Sequence, residues 1–311
     1  MRMRMRIGSA LLAAMVVLLI AGAARAQGVW STGPELPTPR SEVAAVELAG
    51  RLYVLGGGAG AAQRANEVFD PTTAAWAARA PMPRGLNHLG AVALNGRIYV
   101  FGGADESGRA TDASYEYDPA TDGWRSLAPL PNPRISPGVA ALGGRIYVVS
   151  GIAARNTPVV DVFDTATESW LSAAPVAVAR DHFALAAVGD RLYAAGGRIG
   201  NFARPVDTLE IYDPATDTWS FGAAMPAPRS GIAVATLAGR LYVFGGEDPA
   251  QTYGETYAYD AATDAWYQSA PMPTPRHGLG AATIGSALHV IAGGTEPGGG
   301  SDTSMHEILT P

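Results

Sequence analysis

Three histidines and two acids stand at matching places in a repeated sequence, and their types suit proton transfer or metal binding. Counted from the tryptophans at 30, 76, 124, 170, 219 and 266, the eleventh residue on is Ser41, Asn87, Ile135, Asp181, Ser230 or His277. The twelfth is Glu42, His88, Ser136, His182, Gly231 or Gly278. Imidazole is the commonest general acid or base, and three imidazoles can hold zinc. If the protein is an enzyme, His88, His182, Asp181 and Glu42 are the residues that would move protons. The histidines come from the second, fourth and sixth copies, so they are expected around a ring rather than beside one another. Polar lining around water is the resulting expectation, with no metal and no cofactor. No Gly-x-Gly-x-x-Gly, Walker or Gly-x-Ser-x-Gly pattern occurs.

The tenth residue on is arginine in five copies, Arg40, Arg134, Arg180, Arg229 and Arg276. Guanidinium forks match carboxylates and phosphates, so a ring of them suggests an anion site. A structural role competes with that reading. Glu67, Asp161, Glu210 and Glu307 lie on strand c in four of the same copies, where a long arginine of strand a could reach them across strand b. Those four arginines are expected in internal ion pairs. The second copy, "PMPRGLNH", has Leu86 in the arginine column and Tyr115 in the acid column, while Arg84 comes two residues earlier. From Trp76 to Tyr99 is 23 residues, as in every copy, so nothing is deleted and the arginine has moved into the loop. In the fifth copy Tyr257 faces Arg229, and Glu255 is the acid that could capture it. Arg84 and Arg229 are therefore expected to lack the usual partner. With Asn87, His88, His182, His277 and Tyr253 they form the expected ligand-binding set, Phe202 adding a second loop aromatic.

These residues are positioned by a unit of 46 to 49 residues that reads as four short strands. Strand a is small and apolar ("VAAVEL", "GVAAL"), strand b is β-rich and ends in glycine ("RIYVFGG"), and strand c ends in an aromatic–Asp pair. The turn "DPATDTW" leads to the tryptophan of strand d, with Asp and Pro supplying its turn chemistry. From tryptophan to the closing glycine is 27 residues in all six copies, and from the strand-c aspartate to the next tryptophan is 6. The segment between glycine and aspartate varies from 13 to 17. Length variation is thus confined to the b–c loops, which share one face with the d–a loops. On the opposite face Arg51, Arg97, Arg145, Arg191 and Arg240 are expected to be structural or solvated.

The glycine doublet, the aromatic closing strand c and the spaced tryptophan resemble the Kelch repeat over residues 28–311. The resemblance implies an all-β, six-bladed β-propeller of four-stranded blades. The sixth copy departs from the pattern, with His289 where the others have Tyr53, Tyr99, Tyr147, Tyr193 and Tyr242, and Ala292 for the first glycine. His289 reads as core filling. "EILTP" at 307–311 aligns with "EVFDP" at 67–71, and "QGVW" supplies a strand d alone. The N-terminal strand d is therefore expected to complete the C-terminal blade and close the ring, making 27–311 a single domain.

Residues 1–26 carry Arg2, Arg4 and Arg6, an apolar run and Ala24-Arg25-Ala26, the pattern of a cleaved secretory signal peptide. The apolar run is short for a membrane span. Cleavage would leave 18 basic residues against 28 acidic ones, a charge of −10, which disfavours nucleic acid and anionic lipid. The expected location is periplasmic or secreted, with no membrane attachment after cleavage. There is no cysteine, so disulfides, thiolate metal sites and the cysteine-crosslinked copper chemistry of galactose oxidase, a fold resembling this one, are excluded. What the family implies is a monomer acting as a binding module, holding a protein or glycan on the loop face. The alternative is a sugar mutarotase resembling those that act on sialic acid.

Overall fold

The computed structural model describes residues 28–311, with the side chains of 61 and 62 excepted. The leader read at 1–26 lies outside the described residues. Six four-stranded antiparallel sheets stand in a ring. Blade one comprises Ala44–Leu48 (a), Arg51–Leu55 (b), Asn66–Asp70 (c) and Ala75–Ala78 (d). Blades two to five repeat that order through Gln268. Blade six takes Gly280–Ile284, Ala287–Ile291 and His306–Thr310 from the C-terminal end, and Val29–Thr32 is its strand d. The expected closure is therefore present, Trp30 pairing with Leu309 in register. Among the described residues no helix is long and apolar enough to cross a membrane.

Small residues on strand a let the blades converge on the axis. A Cβ added at Gly90 would lie 2.2 Å from Val139 of the next blade, so the approach there requires glycine. Strand b supplies the fully buried layer, as in Leu52, Val54 and Leu55 or Ile98, Val100 and Phe101. Its tyrosine packs on the strand-c aromatic of the following blade: Tyr53 on Tyr117, Tyr99 on Phe163, Tyr147 on Tyr212 and Tyr193 on Tyr259. Each tryptophan of strand d donates its indole N–H to a backbone carbonyl of the segment leaving the previous blade. Trp76 to Pro34 (2.9 Å), Trp124 to Ala80 (2.8 Å) and Trp30 to Ala270 (3.0 Å) are examples. The repeated aromatics thus join blade to blade, the tryptophan in all six units and the tyrosine in five.

At the last seam the pattern changes. His289 packs on Phe69 of blade one, and its Nδ1 lies 2.9 Å from Nε2 of His306. Nδ1 of His306 lies 3.1 Å from the Pro34 carbonyl, and Gly33 presses directly against the same ring. Burial lowers the pKa of each histidine to about 4, and for His306 the proximity of His289 adds to this. His289 does fill core space, as its position suggests, but it does so as half of a hydrogen-bonded pair.

Candidate functional site

Four of the arginines are internal, as expected. Arg40, Arg134, Arg180 and Arg276 are buried and paired with Glu67, Asp161, Glu210 and Glu307. Arg40 also donates to the carbonyls of Thr38, Gly56 and Val54, which ties the start of strand a to strand b. These are staples and are closed to ligand. Two other expectations need correction. Arg229 is 1% exposed, its guanidinium stacked over the rings of Tyr253 (4.5 Å) and Tyr257 (4.9 Å), with Glu255 at 3.4 Å. Glu255 captures it, as its position allowed, and aromatic faces add to that pairing; Tyr253 is half-buried, and its hydroxyl donates to Asp248. Arg84 is half exposed in a loop but not unpaired, because Asp105 accepts from its Nη2 at 2.5 Å. It lines a rim cleft of about 400 Å³ with Arg64, Gly85, Asp105, Glu106 and Ser107.

The mouth of the central channel holds the other site residues. Glu42, His88, Ser136, His182, Gly231 and Gly278 all adopt a left-handed backbone, φ running from 50° to 67°. In five of the six the N–H donates to a carbonyl of the neighbouring blade. Glu42 N donates to Gly278 O (2.6 Å), His88 N to Glu42 O (3.1 Å) and Ser136 N to His88 O (2.9 Å). Gly231 N donates to His182 O (3.0 Å) and Gly278 N to Gly231 O (2.9 Å). The resulting collar is narrow, and its side chains meet across it. The expectation that the histidines stand apart is therefore wrong: the rings of His88 and His182 are 4.9 Å apart although a whole blade lies between theirs. Nε2 of His88 is 3.3 Å from Glu42 Oε2, and Nε2 of His277 is 3.7 Å from Glu42 Oε1. The cavity lined by Glu42, His88, Ser136 and His182 holds about 130 Å³, and His277 is buried beside it.

A second layer fixes these groups. Asp181 takes Nδ1 of His182 and, at 3.0 Å, Nε of Arg198. Arg198 Nη1 donates to Glu247 (3.0 Å), and its Nη2 stands 2.8 Å from His182 Nε2. A guanidinium can only donate, so Nε2 of His182 accepts and its proton sits on Nδ1 facing Asp181. Asn87 Oδ1 faces Nδ1 of His88 at 3.0 Å, and the Gly294 carbonyl faces Nδ1 of His277 at 3.2 Å. Burial would raise the Glu42 pKa, but His88, His182, His277 and Arg198 draw it down to about 2. Burial lowers His88 to about 4, against the pull of Glu42. The mouth is thus a carboxylate among imidazoles, each with a defined orientation.

The profile of the KLHDC2/KLHL20/DRC7 Kelch-repeats domain matches residues 26–197 and again 130–294. The chain belongs to the Kelch-repeat family. No curated protein matches this Kelch chain. A solved structure titled "Structure of YjhT" superposes with a TM-score of 0.79 at 17% identity, covering 90% of this chain and 97% of that one. That likeness carries the propeller fold. The Kelch pattern also explains what sequence reasoning missed. Arg198 and Glu247 follow the closing glycine of strand b, where the other copies have Gly58, Ala104, Ile152 and Gly294. Backbone bridges such as Asp181 with Arg198 and His277 with Gly294 extend the a–b ladder past that glycine to the mouth. Two charges in a column of small or apolar residues were the available signal.

Proposed function

We propose that this Kelch propeller is an exported binding module that captures a glycan or other small polar ligand at the channel mouth of its loop face. One observation carries the reading. Side chains from all six blades, namely Glu42, His88, Ser136, His182 with Asp181 and Arg198, Glu247 and His277, converge on that mouth. Below it the channel is lined chiefly by alanine, valine and threonine of strand a. Fixed donors and acceptors around a small cavity suit hydroxyl and carboxylate groups of a sugar better than a broad protein surface. The rim cleft at Arg84 offers room for the rest of a larger ligand. A thermal-shift and glycan-array screen tests this, because ligand bound only by the folded state raises its apparent stability. His88→Ala and Ser136→Ala should each abolish the shift at an unchanged urea midpoint. A ligand whose shift survives both changes would remove the mouth from the proposal.

The proximity of His88, His182, Asp181 and Glu42 favours a second reading, sugar mutarotation. Ring opening needs one acid and one base within reach of the same sugar, and the 3.3 Å and 4.9 Å separations allow that. An NMR anomerisation assay with N-acetylneuraminate decides it: no acceleration over buffer ends this version and leaves the binding module standing.

A further inference from the structure

We propose that the channel mouth is a site for one first-row divalent cation of the zinc class, held by Nε2 of His88, His182 and His277 and by the Glu42 carboxylate. The inference holds whether or not a glycan is captured above it.

Three observations converge on it. The donor atoms of Glu42, His88 and His182 lie within 4.8 Å of one another, and His277 Nε2 is 3.7 Å from Glu42 Oε1. Donors around tetrahedral zinc at about 2.1 Å stand roughly 3.4 Å apart, so Glu42, His88 and His182 need only small side-chain movements, and His277 completes the cage by turning in from beside Glu42. Next, every ring already has an acceptor at Nδ1: Asn87 Oδ1 for His88, Asp181 for His182 and the Gly294 carbonyl for His277. Amide, carboxylate and backbone carbonyl are the groups that orient metal-ligating histidines. With Nδ1 donating, each Nε2 carries a lone pair, and two of those lone pairs face carboxylates. His88 Nε2 faces Glu42, and His277 Nε2 faces both Glu42 and Glu247 (3.6 Å). Lone pair against carboxylate is repulsive, and a cation between them resolves it. Finally, Glu42, Asp181 and Glu247 set three negative charges against the single positive charge of Arg198, a balance of −2. Asp181 and Glu247 are each 2% exposed, so water does little to offset this. A dication neutralises the cluster.

Arg198 is the competitor within the site, because its Nη2 occupies the lone pair of His182. Its links to Asp181 and Glu247 leave it a resting place when that contact is given up.

The test is calorimetric titration of the chelator-treated full chain with zinc chloride at neutral pH. One ion per chain is expected. His88→Ala, His277→Ala and Glu42→Gln should each weaken binding at least about tenfold, and Asn87→Ala about 10–100-fold through its histidine. Arg198→Ala should bind more tightly, a gain that misfolding cannot produce. His306→Asn, in the other histidine pair, should bind as wild type. Cobalt substitution should give the intense visible absorption of a tetrahedral site. Substoichiometric heat, affinity unchanged by His88→Ala and His277→Ala, or loss confined to His306→Asn would each overturn the proposal. Imidazolium rings would then be the groups that balance the charge.

Discussion

Acidification should open the propeller at one particular seam. His289 and His306 are buried together between blade six and blade one, with pKa values of about 4 in the fold. An unfolded chain binds their protons near pH 6.5. Because the folded values are depressed, the stability that this seam contributes is complete above about pH 6.5 and is lost as pH falls toward 4. At pH 4.5 each ring accounts for about 2–3 kcal/mol, and the pair for up to about 5, since one proton hinders the next. Urea unfolding between pH 7 and 4.5, followed by tryptophan fluorescence, measures the loss while most carboxylates remain ionised. Trp76 reports locally, its ring being 5.8 Å from that of His306. The comparison chain is His289→Tyr with His306→Asn, which restores the tyrosine of the other five blades and the Asn66 of blade one. His88 also has a lowered pKa and contributes to both curves, so the pair is read from their difference in slope. The double variant should lose several kcal/mol less than wild type across this window, whatever its stability at pH 7. Parallel curves would show that these histidines do not govern the seam.

Two further outcomes follow from the arginine column. Arg134→Leu leaves Asp161 buried without its partner and should cost about 3–5 kcal/mol in urea unfolding, whereas adding Asp161→Tyr should recover most of it. Blade two already has that combination as Leu86 and Tyr115, so failure of the rescue would refute the staple account. Arg229→Ala should destabilise by about 2–4 kcal/mol through lost packing under Tyr253 and Tyr257. Arg84→Ala, at the rim, should leave the urea midpoint unmoved, and equal midpoints for the two variants would contradict the burial difference.

Much of this molecule is legible before any coordinates. Fixed intervals from tryptophan to glycine and from aspartate to tryptophan determine the four strands, and the incomplete units at the two ends reveal how the ring shuts. The buried pairs of Arg40, Arg134, Arg180 and Arg276 are readable because both partners are present or absent together in blade two. Distances across the axis are not readable in this way. The column of Glu42, His88 and His182 looks dispersed along the chain, but a left-handed turn at each member narrows the mouth until opposite blades touch. Arg229 misleads for a related reason: an acid missing from its usual column reads as a free cation, while two tyrosine faces and Glu255 supply the partners. Arg198 and Glu247 escape notice because the glycine of strand b looks like the end of the strand, and the backbone continues one residue beyond it.

The collar has a consequence for how such a protein can change over generations. Five of the six links of its hoop run through main-chain atoms, the Ser136–His182 link being made by side chains, so residues 42, 88, 136, 182, 231 and 278 hold the opening in shape with little call on the side chains they bear. Glutamate, histidine, serine and glycine already occupy equivalent places on that hoop. Six positions scattered between residues 42 and 278 therefore act as separate addresses on one small surface. A lineage could rewrite the chemistry of the mouth one codon at a time without putting the scaffold at risk.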